Sequence, residues 1–262
     1  MTEIGRSVPR RRVELPGAGA VVLAWGTATD IGRRRAVNED SFIAEPPVFA
    51  VADGMGGHSA GDRASKAVVE RLASALTDPT VTTGQIGIAL AQASRDIGTI
   101  AEVSALGAGT TVTGVALARN GSSACFAAFN VGDSRLYRFE DDRLTQVSVD
   151  HSVVQELVDA GALQPDEAAH HPDSNVITRA IGFNEPPDPD FWLLPIYPGM
   201  RLLACSDGLT KEVSDRAIED VLAAGAPART TALALVEAAL SGGGRDNVTV
   251  VVVDVIEVEP AS

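Results

Sequence analysis

A chain of 262 residues is long for one domain and short for two, and it is long enough to bury a sizeable core. Its composition, 45% hydrophobic and 21% charged, is that of an ordinary globular protein. The net charge of −14 argues against nucleic acid or an anionic membrane as partner, and no apolar run reaches the roughly 18 residues of a membrane-spanning helix.

Residues 1–17 contain the run PRRR and then Pro16-Gly17, with no apolar stretch behind the basic residues. No secretory signal is read there, and a flexible tail over 1–17 is expected. Strands are expected at 20–28, 41–44 and 48–53, with the polar stretch 30–40 as a loop. Ala64, Val68, Leu72 and Ala75 share one face of a helix over 60–76, and Ile86, Leu90, Ala93, Ile97 and Ile100 give the apolar stripe of a second helix. A β-rich middle follows at 110–118, 124–131, 135–139 and 144–147, broken by the turn signals Asn120-Gly121 and Glu140-Asp141-Asp142. Ser152 and Gln155 have the spacing of a capping box and Gly161 suits the position past a helix end, so a short helix is expected inside an irregular insert over about 149–188. Strands return at 191–195, 201–207 and 248–255, with helices at 214–223 and 228–240. Strand meanders and helix pairs without regular βαβ alternation predict an α+β fold of packed antiparallel sheets flanked by helix pairs. Cys125 and Cys205 lie in apolar strand-like runs and read as buried free thiols, in keeping with a cytoplasmic location.

The chemistry gathers at strand ends. In VFAVAD, residues 48–53, Phe49, Val51 and Asp53 fall on one face, so apolar side chains anchor the strand and an acid stands where the core opens. Gly54, Gly56 and Gly57 then let the backbone turn closely about whatever Asp53 holds. The pattern recurs where Asp207 and Gly208 end the strand-like 202–206, where Asp246-Asn247 separates a glycine run from a valine run, and where Asn38-Glu39-Asp40 precedes a strand. Strand ends also attract Asp for turns, and spacing alone leaves convergence open. Converging carboxylates repel one another unless a cation joins them, and an all-oxygen donor set without clustered Cys or His suits Mg2+ or Mn2+ rather than Zn2+.

In order and spacing, RRRAVNEDSF (33–42), VFAVADGMGGH (48–58), GAGTTVTGVAL (107–117), NVGDSRLYR (130–138), the insert from VDHSVVQELVDAGAL to NVITRAIG (149–182), LLACSDGLT (202–210) and GGRDNVTVVVV (243–253) resemble the metal-dependent Ser/Thr protein phosphatases of type 2C, the PPM family, in their compact bacterial form. The resemblance runs from about Trp25 to Val255. It implies a four-layer α-β-β-α sandwich in one catalytic domain over 18–258, with the insert as a small flap, and a centre of two Mn2+ or Mg2+ ions with room for a weaker third. By that resemblance Asp53 bridges the two ions, the Gly54 carbonyl ligates one, and Asp207 and Asp246 ligate the other. Glu39 and Asp40 act through water or as outer neighbours, and Asp133 shares the third ion with Asp207. Arg35 corresponds to the family's phosphate-binding arginine, whose fork matches two phosphate oxygens. Asn247 is a hydrogen-bonding neighbour, and Arg33 and Arg34 read as solvated.

One position departs from the family. Eukaryotic members carry His directly after the Asp-Gly pair, whereas this chain has Met55, so the general acid is unassigned. His58, His151, His170 and His171 read as structural or solvated. The implied activity is hydrolysis of phosphoserine and phosphothreonine in proteins, by in-line attack of a hydroxide bridging the two ions. The implied partners are phosphoproteins including a Ser/Thr kinase, and the implied state is a monomer. Two other roles stay open: a phosphatase dedicated to one partner-switching protein of an anti-sigma pathway, and a non-catalytic phosphoprotein scaffold. The scaffold would have lost a metal-binding acid, and Asp53, Asp207 and Asp246 are all present.

Overall fold

The structure, a computed structural model, describes residues 1–260 apart from 57–59, 102–106, 122, 166, 169–170 and 184–185. The expected tail is a pair of strands. β1 (Thr2–Gly5) and β2 (Val8–Leu15) lead into β3 (Gly19–Asp30), which β2 pairs antiparallel. β1 instead runs parallel to β4 (Ser41–Glu45), which forms a hairpin with β5 (Val48–Ala52). Val8, Val13 and Leu15 turn toward the core, while Arg10 and Arg12 pair with Glu257 and Glu259 and Arg11 with Glu45. The arginine run therefore lies in an edge strand whose charges are matched by neighbours on both sides, and Pro9 is tolerated because that edge is free.

The remaining elements follow the expected order. β6 (Gly54–Gly56) pairs with β7 (Ala108–Thr110), and α1 (Ala60–Ala75) and α2 (Thr83–Ala101) lie between them in the chain. Then come β8 (Val112–Asn120), β9 (Ser123–Val131), β10 (Arg135–Glu140) and β11 (Arg143–Gln146). Asp141 and Asp142 both take positive φ, 49° and 57°, as the two-residue turn of a hairpin requires. The insert holds α3 (Val153–Asp159), and β12 (Asp190–Pro195) and β13 (Arg201–Cys205) follow. Ser152 caps α3 by accepting from Gln155 N, but the Gln155 side chain donates forward to Asp159, so only half of the capping box forms. The expected strand over 201–207 stops at Cys205, because Ser206 begins a single helical turn, α4 (Asp207–Thr210). α5 (Asp215–Ala223), α6 (Ala228–Gly242) and β14 (Val248–Glu259) complete the chain.

Two six-stranded sheets result, in the orders β1-β4-β5-β8-β9-β12 and β11-β10-β13-β14-β3-β2, antiparallel except for the β1–β4 edge. Three apolar layers hold them. Val68, Leu72, Leu90 and Ile97 pack α1 and α2 on the first sheet; Leu235, Ala239 and Ile218 pack α5 and α6 on the second. Between the sheets lie Trp25, Phe42, Phe49, Val51 and Val251, with Trp25 and Phe49 edge to face at 5.2 Å. This is the four-layer α-β-β-α sandwich. Cys125 and Cys205 are buried free thiols, and burial pushes Cys205 up to about 12. Among the described residues no helix is long and apolar enough to cross a membrane.

Candidate metal centre

Asp53 directly follows β5, whose Phe49 and Val51 are anchored between the sheets. Its backbone is fixed from both sides. Its carbonyl accepts from Thr111 N at 2.9 Å and from Thr110 Oγ1 at 2.8 Å, and its own N–H donates to Thr111 Oγ1 at 3.2 Å. Thr111 Oγ1 also meets Ser134 Oγ at 2.7 Å, which ties the turn carrying Asp133 to the same frame. At Gly54 a Cβ would lie 2.2 Å from the Gly61 carbonyl and 2.5 Å from that of Glu39, so only glycine lets α1 and the 31–40 loop close around this point.

The other acids arrive from three more elements. Asp40, fully buried at the start of β4, accepts from Ser206 Oγ at 2.9 Å and from Thr249. Asp207 opens α4 beside the first residues of β14. A Cβ on Gly208 would sit 1.9 Å from the Asn247 carbonyl, so glycine is what brings Asp207 near Asp246. Asn247 holds the arginine-bearing loop: its Nδ2 donates to the carbonyls of Ile31 and Val37 at 2.9 and 3.0 Å, and its Oδ1 accepts from Glu39 N at 2.8 Å. Arg35 thereby reaches Asp246, with Nη2 at 2.7 Å from Oδ2. A single cavity of about 410 Å3 is lined by Arg35, Asp53, Asp133, Asp207, Lys211 and Asp246, with Glu39, Gly54, Met55 and Asn247 on its walls. The convergence that spacing left open is therefore present. Asp40, behind the wall, is joined to it through Ser206.

Charge crowding follows. Burial, then the neighbouring acids, raise Asp53 well above the usual carboxylate range. Burial and the charges of Asp207 and Asp246 push Asp40 up to about 7 against the hydrogen bonds from Thr249 and Ser206. Burial and Asp207 do the same to Asp133. Glu39 is raised by burial and Asp246 and held down by Arg35 and by the Gly61 N–H. The chain's own cations answer part of this, Lys211 on Asp207 and Arg35 on Asp246. With these pairs in place, no three Asp, Glu, His or Cys side chains among the described residues are gathered about one point as a metal would gather them. The donor chemistry fits a hard divalent cation all the same. Asp40 Oδ1 and Asp207 Oδ1 are buried without a hydrogen-bond partner, and repelling carboxylates call for positive charge.

Residues 32–235 match the family model described as Protein phosphatase 2C. The chain belongs to the protein phosphatase 2C family. It is 40% identical over 248 residues to the serine/threonine protein phosphatase PstP of Mycobacterium tuberculosis, covering 90% of this chain and 46% of that protein, so it spans about half of that relative's length. It is 35% identical over 239 residues to the serine/threonine phosphatase stp of Listeria welshimeri, covering 86% of this chain and 93% of the relative. Its fold superposes with a TM-score of 0.81 on a crystal structure of the PstP catalytic domain in complex with two manganese ions, at 38% identity over 90% of this chain and 99% of that one.

Within this 2C-family site several participants carry no sequence signal of their own. Thr110, Thr111, Ser206 and Thr249 look like ordinary strand residues until their hydrogen bonds are seen. Lys211 stands four residues after Asp207, a spacing that matters only once α4 is a helix. His151 is structural: its Nδ1 accepts from Gly132 N at 3.1 Å and its Nε2 faces Asp190 at 3.2 Å, tying the insert to the Asp133 turn. His171 contacts Asp173 within the insert, and His58 and His170 lie outside the described residues.

Two substitutions test this framework. Gly208→Ala should push α4 off β14, destabilising the fold by about 1–3 kcal/mol and separating Asp207 from Asp246; a melting curve and a Mn2+ titration measure the two effects. Asn247→Ala strands two carbonyls and one N–H, and a loss of about 2 kcal/mol or more is expected by chemical denaturation.

Proposed function

We propose that this chain is a metal-dependent protein phosphatase that removes phosphate from phosphoserine and phosphothreonine in proteins, as a cytoplasmic monomer opposing a bacterial Ser/Thr kinase. The observation that carries the reading is one cavity whose walls combine Asp53, Asp207 and Asp246 with the guanidinium of Arg35.

Asp53, the Gly54 carbonyl, Asp207 and Asp246 would hold two Mn2+ or Mg2+ ions, with Asp40 and Glu39 around them. Such ions, when bound, make a water molecule acidic enough to serve as nucleophile near neutral pH and offset phosphoryl charge. The protein's own groups do the rest. Arg35, half-exposed, is hydrogen-bonded to Asp246 by one nitrogen and makes no other hydrogen bond among the described residues, which leaves donors to take two phosphoryl oxygens side by side. Asn247 and Gly54 fix the loop that carries it. Ser206 and Thr249 hold Asp40 in one orientation. Met55 lines the cavity at the position where eukaryotic members of the family carry His, and its thioether has no proton to give the leaving oxygen. A cysteine nucleophile does not fit: Cys205 is buried, and its thiol stays protonated at neutral pH.

Beside this cavity lies a larger one of about 570 Å3, which shares Asp133, Asp207 and Asp246 and is walled by Ser152, Ser174 and Asn175 of the insert. It gives a polypeptide substrate room beyond the phosphate. The test is phosphate release from a phosphothreonine peptide with Mn2+. Turnover that a chelator abolishes and Mn2+ restores is expected; no turnover on any phosphopeptide, or turnover indifferent to chelator, would overturn the reading.

A further inference from the structure

Lys211 is a cation set among the acids of the centre. It follows the last residue of α4, and its backbone N–H donates to the Asp207 carbonyl at 2.9 Å. That one turn puts Lys211 and Asp207 on the same helix face, and the ammonium pairs with Asp207 Oδ2. The side chain lines the same cavity as Asp53, Asp133 and Asp246 and is only 35% exposed. Asp133, across the cavity, makes no ion pair within 4.0 Å among the described residues, and Lys211 is the cation that opposes its repulsion by Asp207. The neighbouring Arg245 is committed elsewhere, to the Glu212 carboxylate and the Lys211 carbonyl, and does not share this task.

We propose that the Lys211 ammonium takes the place of a third metal ion at the Asp133–Asp207 side of the centre, so that this chain works with two ions. The inference rests on the two-ion reading above. A divalent ion held by Asp133 and Asp207 would sit against a tethered positive charge already bonded to one of its ligands. It would have to displace that charge and then endure its repulsion, since a side chain one turn away cannot go far. A mobile ion is thus exchanged for a covalently attached one, which needs no metal supply and cannot dissociate. Arg35 is the contrast: equally paired with an acid but on an exposed loop, it can turn to a phosphate.

The test is calorimetric titration of the metal-stripped chain with Mn2+, with bound metal counted after equilibrium dialysis. Wild type is expected to bind two ions. Lys211→Asn, and Lys211→Met with its similar stem, are expected to bind three. Lys211→Arg, which keeps the charge, and Arg245→Gln, which removes a charge outside the cluster, are expected to stay at two. Adding Asp133→Asn to Lys211→Asn should return the count to two. Three ions on wild type, or an unchanged count with unchanged affinities in both neutral variants, would overturn the inference while leaving the two-ion reading intact. A wild-type chain that binds no Mn2+ would remove that reading and the inference with it.

Discussion

Asp53→Asn is expected to lower kcat/KM on a phosphothreonine peptide by about a thousandfold or more, without destabilising the metal-free fold. Asp53 is the acid on which the charges of Asp40, Asp207, Asp133 and Asp246 all act, so it stands where a cation is needed most. An amide keeps its shape but loses the charge and one of the two oxygens that a bridge needs. The backbone there does not depend on the side chain, because Thr110 and Thr111 hold the Asp53 carbonyl and Thr111 Oγ1 its N–H. Replacing this half-buried, crowded carboxyl with a neutral amide removes repulsion without disturbing that frame, so the melting temperature of the metal-free protein should stay level or rise. Kinetics within about tenfold of wild type would exclude Asp53 as a bridging ligand, given that losing even an outer partner of a metal ligand costs about 10–100-fold. A collapse in melting temperature would instead make it a structural residue.

The metal-free protein should lose stability as pH rises from about 4 toward 7, the reverse of the usual carboxylate behaviour. Asp40 and Asp133 are each pushed up to about 7, chiefly by burial and then by their acidic neighbours, whereas an unfolded Asp titrates near about 3.9. Between those values the folded state holds protons that the unfolded state has released. With more protons bound in the native state, the derivative of unfolding free energy with pH is negative. The contribution is complete below the unfolded value and lost as pH passes the folded one. Its slope is at most about 1.4 kcal/mol per pH unit for each group, and less where the titrations are coupled. Added Mn2+ competes with the same protons, so the stabilisation it brings should grow with pH. Melting temperatures across this range, with chelator and with excess Mn2+, measure both effects. A chelated protein that gains stability from pH 5 to 7 would show that these acids are not crowded as described.

Much of this centre was legible because it repeats one local pattern, an apolar strand, an acid and then glycine. At Asp53 and Asp207 the pattern marks the open end of a sandwich, where side chains can leave the core without leaving the fold. The two helices of the first outer layer, α1 and α2, were legible from their stripes for the same reason: each buries one face. What stayed hidden depends on distant partners. β2 reads as a tail because Pro9 and three consecutive arginines interrupt the alternation of a strand, and only Glu257 and Glu259, far along the chain, turn it into an ordered edge. α4 reads as a strand end because four residues carry no helical period. Lys211 then becomes an unremarked surface lysine, although its spacing from Asp207 is that of neighbours on one helix face. Whether Asp53, Asp207 and Asp246 meet was open in spacing alone; a glycine against a carbonyl at Gly208 and the three hydrogen bonds of Asn247 bring them together.

The most direct measurement is an anomalous difference map from a crystal of this chain soaked in Mn2+. Two peaks are expected on either side of the Asp53 carboxylate, one also bounded by the Gly54 carbonyl and the other by Asp207 and Asp246, with Lys211 still on Asp207 facing Asp133. A map with no peak in that cavity, or with manganese bound away from Asp53, would contradict the assignment.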